Sequence, residues 1–421
     1  MYHTQLRKII HSTFIALVVC LNLVIPSPPL VIAALPVTIS GVVFPTNNAN
    51  GRLGPFLSSG GNFYAVFLDS TDTGNVDIFK ATDPTDSWSQ QATLDVGGAN
   101  AVQVMAVHQE DDNLHIVTDN AGEITLEYHV FSMSSDSFTI SNEAITSSIS
   151  DNNEADKTVD ISVRSDGDVI VVYAGDEDNA MGAKNRVDYA RREGGTWTVD
   201  IAVDDAGAVN YEGPEMVRGE SDLMHIVWDD ATNADILHKS LNSSNSLSSV
   251  EIVSDSLSDN TSIRSVTRPT FYDAAGVERI TVIYRINAIP ITSVIIEDDG
   301  IPDTEETVSA TVARIVNNTV ILTAAVDNKT VHVLYAEGLS FDLFHDLNTD
   351  DGGWGTDVEE LDNVTINAIS ANVYDRASFT RLAFVYDDGG TIKYNEVQLA
   401  AVGGRPSSGA LLGVGSGVSS P

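Results

Sequence analysis

One short pattern recurs from end to end of this chain. It is a run of five mostly apolar residues, usually closed by an aromatic residue and often followed by an acid. The copies are Tyr64–Leu68, Leu114–Thr118, Val169–Tyr173, Met224–Trp228, Ile280–Tyr284, Val331–Tyr335 and Leu382–Tyr386, and their last residues lie 50, 55, 55, 56, 51 and 51 positions apart. A β-rich unit repeated at this period marks the blade of a propeller. The runs are apolar at every position where a half-exposed strand would alternate, as expected of strands covered on both faces by stacked blades.

Each unit carries further strand signals at fixed offsets. Val159–Val163 precedes the turn Ser165–Asp168, Asp235–His238 and Thr391–Tyr394 follow the apolar run, and the turn at Gly194 and Gly195 leads into Thr196–Ile201. Four strands joined by tight turns make one blade. The expected fold is therefore all-β, a seven-bladed β-propeller of four-stranded antiparallel blades. The last unit supplies three strands, so the N-terminal segment Val37–Phe44 is expected to complete it and close the ring, which also protects sheet edges. The domain reading is a signal peptide over 1–34, the propeller over 35–402 and a Gly/Ser-rich flexible tail over 403–421.

The N-terminus has the form of a secretory signal: Arg7 and Lys8, an apolar run from Ile9 to Ile25, then small residues around Ala33 and Ala34. Cys20, the single cysteine, lies inside that run, so the mature chain is expected to use no disulfide. No second segment is apolar enough to span a bilayer, so no membrane span is expected in the mature chain. The chain has 421 residues and a formal charge of −38, which disfavours nucleic acid and anionic membranes as partners. The location expected is secreted or cell-surface.

Several units end in a hairpin that resembles the Asp-box of sialidase-type (BNR-type) secreted propellers. Asp83–Trp88 keeps the acid, a hydroxyl and the tryptophan, Gly194–Trp197 keeps glycine, threonine and tryptophan, and Asp350–Trp354 is one residue short. Ser137–Phe138 is a fainter copy, and Pro55, Pro214 and Pro269 match the proline that leads into the first strand in such repeats. The resemblance, over about residues 50 to 400, implies a propeller. It implies boxes that tie down turns and plug between strands, away from the functional face.

That functional face carries the segments leading into innermost strands and the loops between second and third strands. It is expected to include Arg52, Arg268 and Arg285, with the acids Asp69, Glu212, Asp229 and Asp387, as binding residues. The set resembles a sialidase site only loosely, and Asp69, Asp119, Asp229 and Asp387 also suit turn caps. Histidines recur at His115, His225 and His332, and again at His129, His238 and His345. Repetition places them in separate blades, which favours structural reuse over convergence on one metal ion. The segment Glu297–Glu306 resembles the calcium loop of thrombospondin type 3 repeats, with Glu297, Asp299, Asp303 and Glu306 as side-chain ligands and Ile301 as a carbonyl ligand. Calcium is the one cofactor expected. The residues lack a convincing catalytic set, and the function they favour is a secreted or envelope-associated propeller that binds a glycan, an extracellular protein or a surface polymer. The alternatives are a sialidase-like glycoside hydrolase and a structural subunit of a surface layer, filament or virion.

Overall fold

A computed structural model describes residues 35–399, apart from 46–51, 97–100, 120–124, 146–158, 176–185, 205–210, 220–221, 234, 256–260, 267–270, 273–277, 287–291, 298–305, 309–319, 325–329, 337–341, 350–352, 363 and 377–378. The described strands form seven antiparallel sheets. Sheet 1 holds Val42–Val43, Phe63–Asp69, Asn75–Ala81 and Ser89–Asp95, with Phe56–Leu57 also paired to Phe63–Asp69. Sheet 2 runs Met105–Glu110, Asn113–Asp119, Leu126–Ser132, Ser137–Ala144, and sheet 3 runs Val159–Val163, Val169–Gly175, Arg186–Glu193, Thr196–Asp204. Sheet 4 runs Tyr211–Arg218, Met224–Asp230, Asp235–Leu241, Glu251–Asp255. Sheet 5 holds Thr261–Val266, Glu278–Ile286, Thr292–Glu297 and Glu306–Thr307, with Phe271–Tyr272 beside the second of these. Sheet 6 runs Val320–Ala324, Thr330–Ala336, Leu343–Thr349, Val358–Leu361, and sheet 7 runs Ile366–Arg376, Phe379–Asp388, Thr391–Gln398, Val37–Ile39. These are the four-stranded antiparallel blades of a β-propeller.

Strand periodicity explains the continuous apolar runs. In Val169–Tyr173 the odd members Val169, Val171 and Tyr173 pack into sheet 2 beside Val117 and Tyr128. The even members Ile170 and Val172 pack into sheet 4 beside Met224, Ile226 and Trp228. Successive side chains point to opposite faces, so a strand between two sheets needs apolar groups at every position. The first strands of sheets 2 to 7 lie against one another in order and form the innermost layer.

Polar side chains latch these inner strands together at one repeat position, the residue opposite the fourth member of each apolar run. Asp160, opposite Val172, accepts from the backbone N–H of Met216 in the next sheet at 2.7 Å. Glu215, opposite Val227, accepts from Val266 N–H at 2.8 Å, and Ser370, opposite Val385, accepts from Leu53 N–H at 2.9 Å and donates to Gly54 O at 2.6 Å. The same bond therefore joins sheet 3 to 4, sheet 4 to 5 and sheet 7 to 1. Buried backbone donors need such partners.

Three expectations change in detail. Val37–Phe44 does not act as one strand: Val37–Ile39 pairs with Thr391–Gln398 in sheet 7, whereas Val42–Val43 pairs with Phe63–Asp69 in sheet 1. Gly41, at φ 83°, makes the turn between the two pairings, a backbone region that favours glycine. Pro214 sits within its strand, where the register shifts between Glu212 and Glu215, so its missing donor coincides with a bulge. Trp88 and Trp197 reach between sheets: Trp88 packs on Tyr394 of sheet 7 at 5.6 Å, and Trp197 on Tyr128 of sheet 2 at 5.4 Å. Asp83 does tie its turn, accepting from Thr85 N and Oγ1 at 3.0 and 2.7 Å.

Candidate binding site

Two of the acids expected on the functional face, Asp69 and Asp387, serve as turn ties. Asp69 Oδ1 accepts from the Thr71 N–H and hydroxyl, both at 2.7 Å, and these bonds hold its carboxyl below the usual range. Asp387 accepts from Gly390 N–H at 2.5 Å, and the equivalent Asp119 from Gln103 and Val104 N–H at 2.8 and 3.2 Å. Asp229 is buried, with its Cα partner Glu212 across the strand pair. Arg285 lies opposite Ser262 at the end of its strand, and Arg268 lies outside the described residues. Glu297 ends one strand opposite Arg279, and Glu306 begins the next opposite Ser293. Asp299, Ile301 and Asp303, which lie between them, are outside the described residues.

The histidines form pairs within single sheets. His225 Nδ1 faces His238 Nε2 at 3.2 Å and His332 Nδ1 faces His345 Nε2 at 2.9 Å, with the rings stacked in both pairs. In sheet 2 the matching position, opposite the fourth residue of the run, belongs to Tyr128 and not to His129. Its hydroxyl bonds His115 Nδ1 at 2.6 Å. Burial pushes His225 down to about 4 and His238 and His332 down to about 3.

Around Tyr128 the boundary between sheets 2 and 3 builds a surface cluster. Arg192 forks onto Glu143, Nε to Oε1 at 2.7 Å and Nη2 to Oε2 at 3.0 Å, and Trp197 Nε1 donates to the same Oε1 at 2.7 Å. The guanidinium also lies over the Tyr128 ring, 5.4 Å from its centroid. The fork holds the Glu143 carboxyl below the usual range. Arg192 and Glu143 stay 21% and 28% exposed and Trp197 is partly exposed, whereas Tyr128 is buried beneath them. Trp197 stood out in the sequence; its partner Glu143 did not, because it lies on the neighbouring sheet. A second boundary, between sheets 7 and 1, groups Trp88, Tyr394 and Glu396, with Tyr394 donating to Glu396 at 2.7 Å.

A cavity opens among the inner strands. Arg52 and Phe56 of sheet 1, His108 and Gln109 of sheet 2 and Asn372 of sheet 7 line it. Arg52 reaches across to sheet 5, where Nη2 donates to Val266 O. Burial pushes this arginine down to about 10, opposed by the charge of Glu215. Burial raises Glu215 to about 7, opposed by Arg52 and by the Val266 N–H. Glu110 also rises to about 7 through burial, opposed by Arg218, whose Nη1 stands 3.3 Å from its Oε1. Sequence position singled out Arg52 but gave no sign of Asn372 beside the cavity.

The sequence matches no family model and no curated relative. Solved structures share the fold. The BP39L lectin from Burkholderia pseudomallei superposes with a TM-score of 0.62 at 10% identity, over 85% of this chain and 100% of its own. A mutant of AofleA from Arthrobotrys oligospora gives 0.50 at 11% identity, over 77% and 89%. A leech intramolecular trans-sialidase gives 0.44 at 10% identity, over 84% and 68%.

Proposed function

We propose that this chain is a glycan-binding propeller and that it takes sugar at the cluster between sheets 2 and 3. The observation that carries the reading is the partly exposed fork of Arg192 and Glu143 beside the partly exposed ring of Trp197. Sugar hydroxyls need donors and acceptors held at fixed spacing, and the C–H face of a pyranose needs an aromatic wall. Rigid polar groups beside aromatic side chains supply both at low entropic cost. The shared fold with the Burkholderia pseudomallei lectin is compatible with this and adds nothing about which sugar is bound. The test is a glycan array followed by calorimetry on the best ligand. Trp197→Ala and Arg192→Met should each weaken binding by about tenfold or more, or about 1.4 kcal/mol, with the melting curve retained. Binding indifferent to both substitutions in folded protein would sink the assignment.

The finer architecture belongs to the same proposal. A closed ring of seven blades is supported by the pairing of Val37–Ile39 with the last strand and by the Ser370 latch onto Leu53. Export, to the medium or the cell surface, is supported by the basic and apolar N-terminal segment. Calcium at Glu297, Asp299, Ile301, Asp303 and Glu306 is supported by the oxygen-rich donor set, which suits a hard cation. Calcium chloride should then raise the melting temperature, and Asp299→Ala with Asp303→Ala should abolish the rise.

A further inference from the structure

Sheet 6 buries polar atoms on the face it turns to sheet 5. Asp346 and Asn348 lie two residues apart on Leu343–Thr349, and each is 3% exposed. Their partners across the strand pair, Val333 and Val331, pack with Ile283 and Val308 of sheet 5 and with Trp354. Residues directly opposite share a face of the sheet, so both polar side chains point into that boundary. Asp346 Oδ1 accepts from Leu347 N–H at 2.7 Å, and Gly355 folds over it so closely that a Cβ there would stand 2.9 Å from the same oxygen. Asp346 Oδ2 is buried with no hydrogen-bond partner among the described residues, and so are Oδ1 and Nδ2 of Asn348. Asp357, just past Gly355, brings a second carboxylate. Burial raises the Asp346 carboxyl, and the charge of Asp357 adds to the rise. Two neighbouring acids could share a proton, but that would leave the asparagine oxygen unsatisfied. Buried polar atoms without partners are costly, and a cation in contact with all three groups removes the cost.

We infer that Asp346 Oδ2, Asn348 Oδ1 and the Asp357 carboxylate hold a hard divalent cation of the magnesium and manganese class. All three donors are oxygens, which suit these ions and not zinc or copper(I). Two carboxylates balance the double charge. Three protein oxygens leave the rest of an octahedral shell to water, an arrangement magnesium keeps, whereas calcium takes about six to eight oxygen ligands. The site differs from the Glu297–Glu306 loop in its residues and its ion, and it does not depend on glycan binding at Trp197.

The test is electron paramagnetic resonance on the full chain, following loss of the free manganese(II) signal as manganese(II) chloride is added. About 0.15 M potassium chloride screens the exposed acids. The expected result is one saturable site, from which magnesium displaces manganese. Asp346→Asn, which keeps an oxygen for Leu347 N–H, should weaken manganese binding about tenfold or more, and Asn348→Ala should weaken it too. Asp357→Asn, at a partly exposed position, should do the same and keeps the inference testable if Asp346→Asn fails to fold. Glu359→Gln, an exposed acid on the same sheet, and Asp299→Ala with Asp303→Ala should leave the affinity unchanged. No saturable binding below about 1 mM, binding unmoved by Asp346→Asn and Asp357→Asn, or displacement by calcium ahead of magnesium would overturn the inference.

Discussion

Single residues set how this protein responds to acid. His115, His129, His225, His238 and His332 are all held well below the usual histidine value by burial, at about 3 to 4. The unfolded chain takes up these protons near pH 6.5, the folded chain only near pH 3 to 4, so stability is full above neutrality and is lost as pH falls through 6.5. Each such histidine withdraws up to about 2–3 kcal/mol by pH 4.5. Glu110 and Glu215, raised to about 7, act in the opposite sense, since the folded chain holds their protons more tightly. Five groups outweigh two, so urea midpoints should fall steeply between pH 6.5 and 4.5. His332→Phe should flatten that slope; an unchanged slope would show that the histidines are not the acid-sensitive groups. The equivalence of His225 and His332 was plain in the sequence, because both are second in their runs. The place of Tyr128 among them was hidden, because the register decides it.

At the scale of elements, the inner-strand latches are the testable feature. Asp160 Oδ1 and Oδ2 accept from Ile161 and Met216 N–H at 2.8 and 2.7 Å. Asp160→Ala would orphan both donors, and Ser370→Ala would orphan Leu53 N–H, at about 1–3 kcal/mol per buried group. The sites belong to different sheet boundaries, so the double variant should show the sum of the single losses in urea unfolding. A double variant no less stable than either single one would mean that the latches are not independent. The apolar runs were readable because strand chemistry repeats locally. The latches were not, because Asp160, Glu215 and Ser370 look unrelated until the pairing aligns them. The same holds for the fork of Glu143 and Arg192, 49 residues apart on different sheets.

For the whole molecule, the split use of the N-terminal segment matters most. Removing residues through Ile39 would leave the edge of Thr391–Gln398 without its partner, exposing unpaired backbone groups that invite association. A chain beginning at Gly41 should melt below one beginning at Leu35 and should aggregate sooner on light scattering. Identical melts would show that Val37–Ile39 contributes nothing to the fold.

The pairing of Val37 with Tyr394 also orders events in time. A ribosome delivers the first of these residues long before the last, and contacts this distant in sequence form slowly. Until the C-terminal strands emerge, the young chain carries an open edge at each end. Assembly of the final sheet therefore waits for Thr391–Gln398, and a chain stopped short of that strand would leave protein that cannot finish folding.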